Sequence, residues 1–265
     1  MGAKVPPPMR LFGGVALVGS SRFGLSNPFD CSVYAIETSA GVVLIDAGSG
    51  LEPELIDANL RADGYDPGAV CALVLTHAHA DHAGGARWWK AHTDCEVLAP
   101  GGERGIVEGT VDTSDVLDRA KRAGLYPGDY VFPTARVDRG VSDDDLLAFG
   151  DVTLRAIEVA GHSAHHTCYF AELAGRRVLF AGDAVFYGGS LLLQNIAECR
   201  MDDYRRDLPK LEGLRVDALL PGHGIFVLRF GQEHINRAIE AIRGLAMPAN
   251  FAALCPKVIP EAYRR

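Results

Sequence analysis

Three imidazoles and one carboxylate fall within six residues in Thr76-His77-Ala78-His79-Ala80-Asp81-His82. A hydrophobic core has no use for such groups, and a solvated face gains nothing by clustering them, so the segment reads as a metal site. Imidazole nitrogen and carboxylate oxygen are the donors that suit zinc and related divalent cations. His77 and His79 are two residues apart, and in extended backbone alternate side chains share a face. Asp81 and His82 come where the chain turns into a helix through Ala83-Gly84-Gly85, which aims them at a neighbouring point. Further donors follow later strand-like runs: His162 in Ala160-Gly161-His162-Ser163, Asp183 in Ala181-Gly182-Asp183-Ala184, and His223 in Pro221-Gly222-His223-Gly224. Glycine beside each one permits a sharp turn that brings the donor to a shared point. Singly these are weak signals; with the cluster they form a set.

The elements that must position the set are legible as apolar runs. Strands are expected at Val15–Val18, Ser32–Glu37, Gly41–Ile45, Val70–Thr76, Glu96–Ala99, Val152–Val159, Thr167–Glu172, Arg177–Ala181 and Val216–Leu220. Helical spacing appears in Glu52–Asp63, Gly85–His92, Thr113–Ala123, Asp203–Leu211 and Gln232–Leu245. Strands come first in hairpins, then alternate with helices in two similar halves, which suggests two packed sheets covered by helices. Lys4 and Arg10 before the apolar stretch Leu11–Gly19 faintly mimic an export signal, but the stretch is interrupted by glycine and reads as a first strand.

The 265 residues are 48% hydrophobic and 23% charged, the composition of an ordinary soluble globular chain. The formal net charge of −8 disfavours a general nucleic-acid binder. No apolar run is long enough to cross a bilayer. The six cysteines form no CxxC pair and several sit in apolar runs, so they read as buried free thiols of a reducing, cytoplasmic compartment.

With these motifs in order, the chain resembles the metallo-β-lactamase superfamily over about residues 30–225. The resemblance implies an α/β fold, an αββα four-layer sandwich of two mixed sheets flanked by helices. It treats residues 1–265 as a single domain with a substrate-side insertion at about 103–147. It also implies a site at one end of the sheets holding two Zn2+ per chain, with Fe2+, a mixed Zn/Fe site or a Mn site as alternatives. His77, His79 and His162 would bind one ion, Asp81, His82 and His223 the other, and Asp183 would bridge them. Asp46, in Leu44-Ile45-Asp46-Ala47-Gly48, would orient the metal loop from behind. The implied chemistry is hydrolysis by a hydroxide shared between two zinc ions, with Asp81 or Asp183 taking the proton. Ser49, Ser163 and Ser190 lack any nucleophile context and read as structural.

Asp183 stands where β-lactamases of the superfamily usually carry Cys or Ser, and resembles the glyoxalase II, lactonase and ribonuclease Z branches. Gly161-His162-Ser163-Ala164-His165-His166 is similar to the Gly-His-Thr-x-Gly-His pattern of glyoxalase II, which gives His166 that pattern's last place. His165 departs from it, and the 42 residues after His223 are too few for the glutathione-binding domain of that family. Homoserine lactonases carry a tyrosine shortly after the bridging aspartate, which makes Tyr187 a candidate catalytic residue against the substrate carbonyl. The expected substrate is a small-molecule ester, thioester or lactone, with no nucleic-acid or membrane partner and a homodimer left open. A mononuclear iron persulfide dioxygenase is the alternative in a different class; β-lactamase-like and phosphodiesterase activities are further alternatives. Within the insertion, helix Thr113–Ala123 and loop Leu125–Val141 would overhang the site, with Tyr126, Tyr130 and Phe132 as candidate pocket aromatics. Asp143-Asp144-Asp145 reads as a solvated turn, Trp88 and Trp89 as packing residues, and His92 and His234 as ordinary ones.

Overall fold

Period-two alternation within strands that are buried on both faces accounts for the layers of the protein. The computed structural model describes residues 9–244 and 247–254. Seven strands form the first sheet in the order β1 to β7: Met9–Phe12, Val15–Gly19, Val33–Thr38, Gly41–Ile45, Val70–Val74, Glu96–Pro100 and Arg139–Val141. The first four are paired antiparallel, and β4 to β7 run parallel. The second sheet has five strands in the order β12-β11-β10-β9-β8, with β8 Leu146–Phe149, β9 Val152–Glu158, β10 Thr167–Leu173, β11 Arg176–Gly182 and β12 Ala218–Pro221. Its only parallel pair is β11 with β12. The helices are α1 Pro53–Ala62, α2 Ala80–Ala83, α3 Ala86–Thr93, α4 Arg104–Val107, α5 Ser114–Arg122, α6 Met201–Asp207, α7 Gly231–Arg243 and α8 Phe251–Leu254.

Side chains of one parity join the sheets. Val15, Leu17, Tyr34, Ile36, Val43, Ile45 and Val74 meet Leu154, Tyr169, Val178, Phe180 and Leu220 of the opposite sheet in one buried cluster. The other parity turns outward to the helices. Ala16, Val33, Ala35, Leu44, Leu73 and Val97 pack on Ile56 and Leu60 of α1 and on Trp89 of α3. Ile157, Leu179 and Leu219 pack on Tyr204 of α6 and on Ile235, Ile239 and Ile242 of α7. The result is the expected αββα sandwich.

Several elements depart from the sequence reading, among them the short helices α4 and α8, which it did not expect. The stretch read as one strand at Leu11–Gly19 is a hairpin, β1 and β2, because Gly14 at φ 74° makes the turn. The short edge strands β7 and β8 went unpredicted, since three or four residues carry too little periodicity to register. The last two expected helices differ only at their ends: Asp203–Leu211 is α6 followed by a 3-10 turn, and Leu245 lies outside the described residues. Among the described cysteines none is bonded to another; Cys31, Cys95 and Cys168 are buried as expected, whereas Cys71 and Cys199 are half-buried, and Cys255 lies outside the described residues. No described helix is long and apolar enough to cross a membrane.

The carboxyl ends of β4, β5, β9, β11 and β12 point to the same edge of the sandwich. Parallel pairing of β4 with β5 and of β11 with β12 puts those ends side by side. The two sheets are stitched together there by long-range hydrogen bonds. Tyr34 OH donates to Pro221 O at 2.8 Å, Tyr169 OH to Leu75 O at 2.8 Å, Thr167 N to Thr76 O at 2.8 Å and Ser32 N to Gly222 O at 2.6 Å. Ligands of α/β folds bind where strands end in this way.

Candidate metal centre

Every strand on that edge delivers one part of the site as its chain leaves the sheet. β5 runs into His77, His79, Asp81 and His82, the last two on the single turn α2; β9, β11 and β12 are followed by His162, Asp183 and His223. The side chains converge. His79 Nδ1 lies 2.9 Å from His162 Nε2, and the His77 ring packs against both. His82 Nε2 is 3.3 Å from His223 Nε2, which is 3.2 Å from Asp81 Oδ2. Asp183 stands between the groups: Oδ2 is 3.5 Å from both His162 Nε2 and His223 Nε2, and Oδ1 is 3.5 Å from His82 Nε2. Donor atoms of His77/His79/His162, of Asp81/His82/His223 and of His77/His82/Asp183 lie within 4.8 Å of one another in each group.

Hydrogen bonds behind the rings decide which nitrogen faces inward. His82 Nδ1 meets Asp46 Oδ2 at 2.8 Å, so its proton sits there and Nε2 is a bare lone pair. Thr76 donates its hydroxyl to the same Asp46 and lies 3.0 Å from His77 Nδ1, which leaves His77 Nε2 bare as well. His162 Nδ1 faces Leu192 O at 3.2 Å, so its Nε2 is the free donor. Asp46 thus serves both halves of the site, directly through His82 and through Thr76 for His77. It does so from a left-handed backbone, φ 63°, a region sparsely populated by non-glycine residues and frequent at functional sites. His166, also expected behind the metal, accepts from Asp183 N at 3.0 Å and so sets the turn that presents the carboxylate.

Bare nitrogens facing one another need a shared partner. His77 Nε2 and Asp183 Oδ1 are buried without a hydrogen-bond partner, an expensive arrangement unless a cation joins them. Neutral imidazoles and an ionised carboxylate are the donor states a divalent cation takes. Without one, burial opposes charge on His82, but Cys31, Asp183 and Asp46 outweigh it and raise His82 well above the usual imidazole range. Glu198 likewise outweighs burial to raise His79, so positive charge gathers where a cation would sit. Burial, with the neighbouring histidines adding to it, holds His77 well below the usual imidazole range; burial and His79 take His162 down to about 3. Burial works against charge on Asp183, but His223 and His82 outweigh it and hold the carboxyl below its ordinary range. Cys31 lies with Asp46 and His82, and burial pushes its thiol up to about 12, so without a cation it stays protonated. The donor set therefore fits a divalent metal. Close packing leaves no latitude here: a Cβ on Gly222 would stand 2.4 Å from Asp183 Oδ1 and 2.6 Å from His82 Cε1.

Two residues escaped the sequence reading. Glu103, buried where β6 ends, accepts from Ala78 N at 2.6 Å, from Ser163 Oγ and from His165 N at 3.0 Å. One carboxylate thereby ties the His77–His82 loop to the His162 loop. A lone Glu in a loop offers no sequence signal for this. Tyr126 was placed as a pocket aromatic, but its hydroxyl also donates to Asp81 Oδ1 at 2.7 Å and lies 3.1 Å from Asp81 N. Tyr130 instead donates to Ser49 O and is buried away from the cavity.

Tyr187 corrects the reading. It is 52% exposed, stacks near His234 at 4.6 Å between ring centres and does not line the cavity. Phe186 takes the inward place, fully buried and stacked on Phe251, so the next residue turns outward. His165 lies flat on Gly102 with Nδ1 3.3 Å from Glu158, outside the cavity. Trp89 is core, Trp88 half-buried beside it and stacked on His92. Asp143 and Asp144 pair with Lys210 and Arg155.

A sandwich carrying this donor set at its strand ends defines a class of metal-centre enzyme. The chain belongs to the metallo-β-lactamase superfamily, whose family model matches residues 26–223. It is 28% identical to the acyl-coenzyme A thioesterase MBLAC2 of Bos taurus across 88% of this chain and 84% of that protein. It is 30% identical to a hydroxyacylglutathione hydrolase of Rhodospirillum rubrum across 52% of this chain and 43% of that protein. Among solved structures, the subclass B3 metallo-β-lactamase BJP-1 of Bradyrhizobium japonicum superposes with a TM-score of 0.69 at 25% identity, covering 89% of this chain and 91% of that one. The glyoxalase II-like placement agrees with these relatives.

Proposed function

We propose that the protein is a two-metal hydrolase of acyl thioesters. The observation that carries this reading is the pair of donor sets joined by Asp183 and facing an open cavity of about 1260 Å3, with no serine or cysteine nucleophile set against a base among the described residues. Ser163, the serine beside His162, already donates to Glu103. Two divalent cations bound there, zinc in the first instance, would supply Lewis acidity, bringing the pKa of water towards ~7 and polarising an acyl oxygen.

The chain's own groups do the rest. His77, His79 and His162 would hold one cation, Asp81, His82 and His223 the other, with Asp183 placed between the two sets. Asp46 and His166 fix the rings and the carboxylate so that no rearrangement is needed on binding. Asp183, held below its ordinary range, stays ionised as a ligand, and Asp81 is the carboxylate left to take up a proton released at the site. The Tyr126 hydroxyl has its proton committed to Asp81 Oδ1. A thiol leaving group with a pKa near ~8.5 departs as thiolate without a general acid, whereas an alkoxide needs one. This favours thioesters over esters and lactones, and similarity to an acyl-coenzyme A thioesterase over 88% of this chain supports the same choice.

The test is a panel of a thioester, a lactone, a β-lactam, a phosphodiester and a persulfide, run on metal-quantified protein. Thioester turnover with about two zinc per chain is expected. One iron per chain with oxygen uptake on the persulfide would overturn the reading in favour of a dioxygenase.

A further inference from the structure

The helix that roofs the site buries nothing of its own. None of the nine residues of α5 is buried, although the helix is amphipathic, with Val116, Leu117 and Ala120 in one stripe. A helix normally buries such a stripe against a core. Here it borders the cavity instead, and Phe132, Leu192 and Ile196 line the same space from other parts of the chain. Arg119, on the same helix, donates through Nη2 to Asn195 O at 2.5 Å, so the roof is tied to the 191–200 segment beside Leu192 and Ile196. The cavity runs without a break from this apolar part to His79, Asp81, His162, Asp183 and His223. At about 1260 Å3 it exceeds the usual ~300–1000 Å3 of small-ligand pockets.

We infer that the apolar space between α5 and the 191–200 segment is an acyl-chain site, so that the preferred substrate is a thioester of a long, flexible aliphatic acid. The inference rests on the thioester reading above. Continuity brings one arm of the thioester against the α5 stripe, and chemistry decides which: Val116, Leu117 and Ala120 with Phe132, Leu192 and Ile196 suit an aliphatic acyl arm and not the charged, hydrated thiol arm. A compact acyl group would leave that stripe in water. An aliphatic chain covers it, and each methylene buried adds to binding.

The experiment is a series of straight-chain acyl-coenzyme A thioesters from acetyl to palmitoyl on the metal-loaded protein. The expected kcat/KM climbs about fourfold per added methylene until the space is filled, then levels. Leu117→Asp should flatten the climb, while Asp118→Ala, on the exposed side of the same helix, keeps the wild-type slope. A flat or falling series with acetyl-coenzyme A well cleaved would overturn the acyl-chain site and leave the thioesterase reading standing. Cleavage of no member of the series would overturn both.

Discussion

His77, His82, His162 and Asp183 are almost wholly buried, whereas α5, which borders the same cavity, buries none of its nine residues. The donor edge is held by hydrogen bonds that run between strands and sheets, and one carboxylate, Glu103, joins two of its loops. On the roof, Arg119 reaches Asn195, and Tyr126 reaches Asp81 and stacks between Phe29 and Tyr130, while α5 itself buries no residue. The difference separates two tasks. Reaction chemistry needs donors placed to a fraction of an ångström, and burial with fixed partners provides that. Selectivity needs a surface that meets many acyl groups, and a lightly held amphipathic helix provides that.

The contrast breaks most visibly at the donors. His79→Ala and Asp183→Ala should each drop turnover to background and lower the metal content of purified protein, read by steady-state assay and elemental analysis. Wild-type activity in either variant would remove the donor edge from the chemistry altogether. One step back from the donors, Asp46→Asn keeps the shape but weakens the acceptor of His82 Nδ1 and of the Thr76 hydroxyl. Metal affinity should fall about 10- to 100-fold. A chelator competition titration checks this, and an unchanged affinity would mean that Asp46 shapes the turn only.

Tyr126→Phe sits between the two regions, because it removes the hydroxyl that donates to Asp81 Oδ1 and accepts from Asp81 N. A bond to a charged group is worth about 1.5 kcal/mol or more, so kcat should fall roughly tenfold. KM for a short thioester should stay near wild type, since Asp81 rather than the acyl space is disturbed. A loss confined to KM would make Tyr126 a wall of the pocket and nothing more.

How far the sequence foretold this division follows from where each residue's information lies. The donors were legible because chemistry restricts them to His and Asp just past apolar strands, and the strands themselves alternate over five or more residues. Asp46 and His166 were found through the resemblance, not through spacing. Glu103 was not, since its role depends on three groups from the 77–82 and 162–166 loops meeting in space. Tyr187 misled because adjacency in sequence said nothing of which side of the turn Phe186 would claim. The α5 helix was placed to within a residue, yet nothing in its pattern revealed that its apolar stripe would find a cavity in place of a core.

The smallest effect isolates that last point. Trp89→Ala in α3 empties a fully buried site and should cost about 3–5 kcal/mol of unfolding free energy. Leu117→Ala in α5 deletes a side chain of similar hydrophobic character from a helix that packs on no core, and should change stability by no more than about 0.5 kcal/mol. Denaturant titration of both variants, with equal m-values, checks the pair. A loss at Leu117 approaching that at Trp89 would mean that α5 is part of the structural core, and the division between a rigid edge and a lightly held roof would fail at the helix on which it depends.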